Sequence, residues 1–233
     1  PRQVAWMPRQ RQDLRQAVRF AAGLEGVDPD RIVLWGWSWG ASHAIYTAAA
    51  EPALAAAAIV VGPDPDGLAT VRHLLSQAGV RGLARLSGPV LRDLAALVRG
   101  RPPELIPLVG PPGTVAALTT EESEPSYAAL AGPSWRNEVA ARVAFAEASN
   151  RATAQAEELR CPILIQSGAR DSVSPPQSAR RLAWKAKGFS ELREYPCGHY
   201  GFLLELRDRV IDDQLHFLRR HLSPACAEAG TSS

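Results

Sequence analysis

Three side chains, Ser38, Asp171 and His199, have the types and the chain order from which a nucleophilic hydrolytic site can be built. A serine hydroxyl is a weak nucleophile at neutral pH and needs a base within hydrogen-bond reach, itself oriented by a carboxylate. Ser38 lies in Gly36-Trp37-Ser38-Trp39-Gly40, a Gly-x-Ser-x-Gly pentapeptide. The flanks give the pattern its meaning. Arg31 to Trp35 is a short run that reads as a buried strand, and Ala41 to Ala50 reads as a helix. A strand-turn-helix junction of this kind holds the serine on a sharp turn with its hydroxyl exposed at the strand's carboxyl end. Such a turn should leave little room for side chains two residues to either side, which accounts for both glycines.

Asp171 and His199 each follow a predicted strand, so both should reach the carboxyl edge of a parallel sheet alongside Ser38. Each has competitors. Asp64 or Asp66, after the second strand, could supply the acid instead, and Asp171 could simply form a turn before Pro175. His43 falls on the helix after the serine and His216 on the last helix, where packing or exposure explains them better; His73 and His221 are further competitors. Cys197, two residues before His199, lacks the turn context of a nucleophile and reads as a small residue in a tight loop. Trp37, Trp39 and Trp135 offer apolar faces for a substrate pocket, with core packing as the competing role.

The elements that must position these residues follow from periodicity and breakers. Residues 8 to 25 carry a stripe of Leu14, Ala17, Val18, Ala21 and Leu24, the pattern of an amphipathic helix, and Val27 to Asp30 turns into the serine strand. Ala56 to Val61 is a second strand, and the short joints imply parallel pairing. From 68 to 159 the pattern changes to helical segments around Val71 to Ala78, Val90 to Arg99 and Trp135 to Ala156, interrupted by a Pro/Gly-rich stretch. That is too long for a loop between sheet strands and predicts an inserted, mainly helical cap. Its arginines, from Arg72 to Arg101, read as a solvated face rather than an anion site. The sheet resumes at Pro162 to Gln166, a helix runs from Pro175 to Lys187, Glu191 to Tyr195 is a strand, and Leu203 to Leu222 is a closing helix. The core is therefore expected in 1–67 and 160–223, with 224–233 a frayed tail.

Composition narrows the function classes. The chain has 233 residues, 46% of them hydrophobic, enough for one full core. A net charge of +2 argues against nucleic-acid or polybasic membrane binding. Cys161, Cys197 and Cys226 form no CxxC pair and no even framework, so a zinc site and disulfides are not indicated and a reducing cytoplasm is expected. No run approaches a membrane span.

The pentapeptide, Gly168-Ala169-Arg170-Asp171 and Gly198-His199-Tyr200-Gly201 together resemble an α/β-hydrolase from the serine turn to the C-terminus. Within that superfamily, Val27 to Arg31, Gly110 to Ala117 and Ser134 to Glu138 resemble bacterial capped hydrolases described as acetyl xylan esterase-like or dienelactone-hydrolase-like. The resemblance implies a mostly parallel sheet with helices on both faces and a serine hydrolase acting on a small-molecule ester, with no metal or organic cofactor. It also implies three or four strands before the serine strand, where this chain has one helix. The N–H of Trp39 is then one oxyanion donor and the second has no candidate. The expectation is a fragment, associating through an exposed sheet edge, or a catalytically impaired binding module.

Overall fold

The computed structural model describes residues 3–186 and 188–222. Helix α1 (Met7–Ala22) starts with Pro8 in its first turn and leads through a 3-10 turn at Pro29–Arg31 into strand β1 (Val33–Trp37). Helix α2 (Trp39–Ala50) follows at once, then β2 (Ala57–Val61). After an excursion come β5 (Ile163–Gly168), α7 (Pro176–Lys185), β6 (Ser190–Tyr195) and α8 (Arg207–Leu222). The strands form one parallel sheet in the order β1-β2-β5-β6.

Alternation sorts the sheet's side chains onto two cores. Leu34, Ala58, Val60, Ile163 and Ile165 pack under α2 and α7, while Ala57, Ile59, Val61 and Leu164 meet Phe202, Val210 and Phe217 on the α8 face. Fully burying each large aliphatic chain contributes about 1.5–3 kcal/mol. Small residues on α2, notably Ala41, Ala44 and Ala48, let its backbone approach β1 and β2 closely. β1 forms an edge among the described residues, and Trp35 on it is half exposed.

The excursion leaves β2 and returns to the strand beside it. It holds α3 (Gly67–Val98), β3 (Leu105–Ile106), α4 (Ser123–Leu130), β4 (Val139–Ala140), α5 (Val143–Ala148) and α6 (Ala152–Gln155). α3 breaks at Gly79, whose φ of 66° ends its first helical segment. The expected helix from Trp135 to Ala156 does not form. Asn137 instead binds both the N–H and the carbonyl of Val109, at 2.9 and 2.8 Å, and Val139–Ala140 pairs antiparallel with Leu105–Ile106. A side chain that captures a distant backbone in this way competes with helix formation.

The closing helix also starts later than expected, at Arg207 rather than Leu203. Its inner face runs through Val210, Gln214 and Phe217, leaving Ile211 and Leu215 exposed, because Gln214 donates to Gln166 Oε1 at 2.7 Å. The expected helix to Lys187 ends at Lys185, and Lys187, Cys226 and the tail 224–233 lie outside the described residues. No helix among the described residues is long and apolar enough to cross a membrane.

Candidate active site

Ser38 occupies the joint between β1 and α2 with φ 55° and ψ −119°, a strained conformation for a residue with a Cβ, costing of order 1–3 kcal/mol. Two features hold it there. Its N–H bonds the Val61 carbonyl at 2.9 Å, and a Cβ on Gly36 would lie 2.1 Å from the Gly40 carbonyl oxygen, so only glycine fits at 36. Gly40 differs from the expectation, since a Cβ there meets nothing within 4 Å.

His199 stands between Ser38 and Asp171. Its Nε2 is 3.0 Å from Ser38 Oγ and its Nδ1 is 2.8 Å from Asp171 Oδ2. The other Asp171 oxygen accepts from the N–H groups of Val173 and Ser174 at 2.9 and 2.7 Å. An acid with all its acceptors engaged places the imidazole proton on Nδ1 and turns the Nε2 lone pair toward the serine. Burial pulls the His199 pKa down, but the Asp171 charge and hydrogen bond, with Glu122 and Asp64 beyond, outweigh it and leave the pKa raised. Four of the competing residues, Asp66, His43, His73 and His221, fall elsewhere, while Asp64 lines the same cavity as Ser38 without bonding the imidazole. Asp66 caps α3 and pairs with Arg181 at 3.0 Å. His43 is buried against Gln10 with its pKa lowered to about 4 by burial and by Arg11. His73 meets the Ser172 carbonyl at 3.1 Å, and His221 pairs with Glu191 on the surface. Burial, followed by nearby carboxylates, pushes the Cys197 thiol up to about 12, so it is no thiolate.

Trp39 opens α2, so its backbone N–H has no partner within the helix and points from the positive end of the helix dipole. Trp37 donates to the His199 carbonyl at 3.3 Å, with its ring 5.2 Å from the imidazole. Both tryptophans and Ser38 line a cavity of about 1330 Å3, whose apolar walls include Leu74, Leu86, Val90, Ile106, Val143 and Phe145 from the excursion. Trp135 is not among the lining residues; it stacks on Tyr127, which is.

Two residues that the sequence reading did not single out stand in this site. Glu122 bonds the loops carrying both Asp171 and His199. Glu147, on α5, accepts from Trp39 Nε1 and lies beside Asp64, and both carboxyls line the cavity. Burial, then the charge of Asp64, raises the Glu147 pKa well above its ordinary value, and burial raises that of Asp64 as well. Glu147 Oε1 is buried with no hydrogen-bond partner, which adds to the cost of ionising this carboxyl.

This raised pKa has a stability consequence. The unfolded chain releases the Glu147 proton near pH ~4.3 while the folded chain retains it to higher pH. The contribution is therefore fully present below the unfolded value and is lost as pH rises toward the folded one. Glu147→Gln keeps an acceptor for Trp39 without titrating. In urea denaturation at pH 4 and pH 8, this variant should gain stability relative to the wild type as the pH rises from the lower value to the higher. Curves that stay parallel would show that Glu147 is already ionised.

The family model described as serine aminopeptidase, S33, matches residues 4–206. The chain belongs to this family. It is an α/β-hydrolase, an enzyme of hydrolase type. Quorum-quenching protein AidA of Acinetobacter baumannii (strain MDR-ZJ06) is 30% identical to this family member over 223 residues, covering 94% of this chain and 71% of its own. Polyketide transferase ATR5 of Stachybotrys chlorohalonatus (strain IBT 40285) is 26% identical over 244 residues, covering 95% and 74%. Among solved structures, the α/β-hydrolase GrgF from Penicillium sp. sh18 superposes with a TM-score of 0.74 at 22% identity, over 95% of this chain and 74% of that one. That likeness bears on the fold alone.

Proposed function

We propose that this S33-family hydrolase cleaves neutral carboxylic esters with a sizeable apolar acyl group, through an acyl-enzyme on Ser38. The observation that carries this reading is His199, 2.8 Å from Asp171 and 3.0 Å from Ser38, beside a largely apolar cavity of about 1330 Å3. His199 Nε2 takes the Ser38 proton as Oγ bonds the ester carbonyl carbon. The N–H of Trp39 donates to the resulting oxyanion. His199 then gives its proton to the departing alkoxide as the ester C–O bond breaks. Water attacks the acyl carbon, His199 takes the water proton, and Ser38 leaves with that proton restored.

The excursion, residues 68–159, serves as a cap over the sheet's carboxyl edge and supplies most of the apolar wall. No Lys or Arg lines the cavity among the described residues, whereas Asp64, Glu121, Glu122, Glu138 and Glu147 do. With no cation in the lining to pair with them, anionic acyl groups are disfavoured, and long neutral ones are favoured at about 0.8 kcal/mol per buried methylene. Along a p-nitrophenyl series from acetate to octanoate, kcat/KM should climb at least ~10-fold, and a succinate half-ester should turn over poorly.

A fluorophosphonate probe tests the nucleophile directly. The expected result is a covalent adduct that peptide mass spectrometry places on Ser38, formed more slowly when saturating octanoate ester is present. A folded protein that forms no adduct, or forms it elsewhere, overturns the reading.

A further inference from the structure

We propose that Glu122, contributed by the excursion, is a positioning residue that ties the loop carrying Asp171 to the loop carrying His199; this rests on the Ser38-His199-Asp171 reading above. Its Oε2 accepts from the backbone N–H of His199 at 3.0 Å. Its Oε1 accepts from the backbone N–H of Ser172 at 3.3 Å and from the Ser172 hydroxyl. One carboxylate thus spans residues 50 and 77 positions away in the chain. Each of the two is an orienting contact next to a reacting side chain.

Three neighbouring observations point the same way. A Cβ on Gly198 would fall 2.1 Å from Glu122 Oε2, so the base loop comes this close because position 198 carries no side chain. The next residue, Ser123, accepts from the Tyr200 hydroxyl at 3.0 Å and shares a 2.6 Å hydrogen bond with Thr120. The base loop is thereby clasped on both sides of His199. On the acid side, His73 from α3 reaches the Ser172 carbonyl at 3.1 Å, so the Ser172 backbone is fixed at both its N–H and its carbonyl.

The carboxylate also acts through its charge. The charged groups facing His199 are Asp171 from the acid loop, Glu122 from the excursion and Asp64 from the turn after β2, with Glu147 behind Asp64. Arg170 and Glu205 flank the base loop at Cys197. Glu122 is among the groups that raise the His199 pKa against burial. Removing its charge while keeping its shape should let the base work at lower pH.

Glu122→Gln and Glu122→Ala separate the two effects. In the Gln variant the amide oxygen can still accept from the His199 N–H and the nitrogen can donate to the Ser172 hydroxyl, while the 3.3 Å bond from the Ser172 N–H is lost. The expected result is near-normal KM, with the acid limb of the kcat/KM pH profile moved down by ~0.5 unit or more. The Ala variant should lose about 10- to 100-fold in kcat, with KM changed far less, because a small misplacement of a catalytic group has effects of that order. Fluorophosphonate labelling of Ser38 is read in parallel on all three proteins. Wild-type labelling together with wild-type kcat in a folded Ala variant, or with an unmoved pH limb and wild-type kcat in the Gln variant, overturns the role of Glu122 and leaves the nucleophile assignment standing. Absence of wild-type labelling overturns the parent reading. If the Ala variant fails to fold, the Gln variant decides, through its kcat, which reads the lost Ser172 N–H contact, together with its pH limb.

Discussion

Asparagine in place of Asp171 is expected to lower kcat by about 10,000-fold while leaving the protein folded. The geometry explains both halves of that result. Asp171 Oδ1 accepts from the N–H groups of Val173 and Ser174, a duty an amide oxygen performs equally well, so the loop keeps its shape. The amide nitrogen must then face His199 Nδ1 at the 2.8 Å position now held by Oδ2. Two donors cannot share that bond, so the imidazole moves its proton to Nε2. That nitrogen now points a hydrogen, instead of a lone pair, at Ser38. His199 is almost fully buried, so water cannot substitute for the lost base.

Asp64→Asn is the matched control. Asp64 takes its hydrogen bond from Thr70 and lies beside Glu147, and neither of its oxygens bonds the imidazole among the described contacts. It should therefore stay within about 10-fold of wild-type kcat. Steady-state kinetics with one p-nitrophenyl ester across pH 5 to 9 reads both variants. Equal losses would transfer the acid role to Asp64, the competitor that the sequence already offered.

The legibility of this site follows from how local its parts are. Gly-x-Ser-x-Gly, the turn after β5 and the loop after β6 each announce themselves within a few residues, because a parallel sheet delivers its strand ends to one edge. Gly36 was equally legible, as the glycine that the backbone crossing requires. Glu122 and Glu147 were not. Both lie in the excursion, where short helices and a two-residue hairpin replace the long helix that periodicity suggested. Their meaning depends on a fold-back across distant positions, and nothing near them in the chain encodes it. The short α4 was not anticipated either; Pro125 lies in its first turn, where proline is tolerated.

The same excursion depends on one buried carboxylate, and Asp93→Ala should destabilise it by about 3–5 kcal/mol. Asp93 is fully buried on α3. Its Oδ1 accepts from the Glu104 N–H at 3.0 Å and its Oδ2 from the Arg142 N–H at 2.8 Å, joining α3 to the chain just before β3 and just after β4. The Arg142 guanidinium, largely buried, lies 3.3 Å from Oδ2, and its Nη1 has no hydrogen-bond partner. Alanine at 93 would leave two backbone donors and a buried cation without an acceptor, and an unpaired buried charge is the dominant cost. Because domain stability is only about 5–15 kcal/mol, that loss is a large share of the total. Urea denaturation should report it, and octanoate turnover should fail at a lower temperature than the melting of the sheet, since the hairpin walls the cavity. Adding Arg142→Met removes the stranded cation and should recover part of the loss. A single-variant change below ~1 kcal/mol would mean that water or a rearranged Arg142 takes over from Asp93, and that the excursion is held chiefly by its apolar contacts.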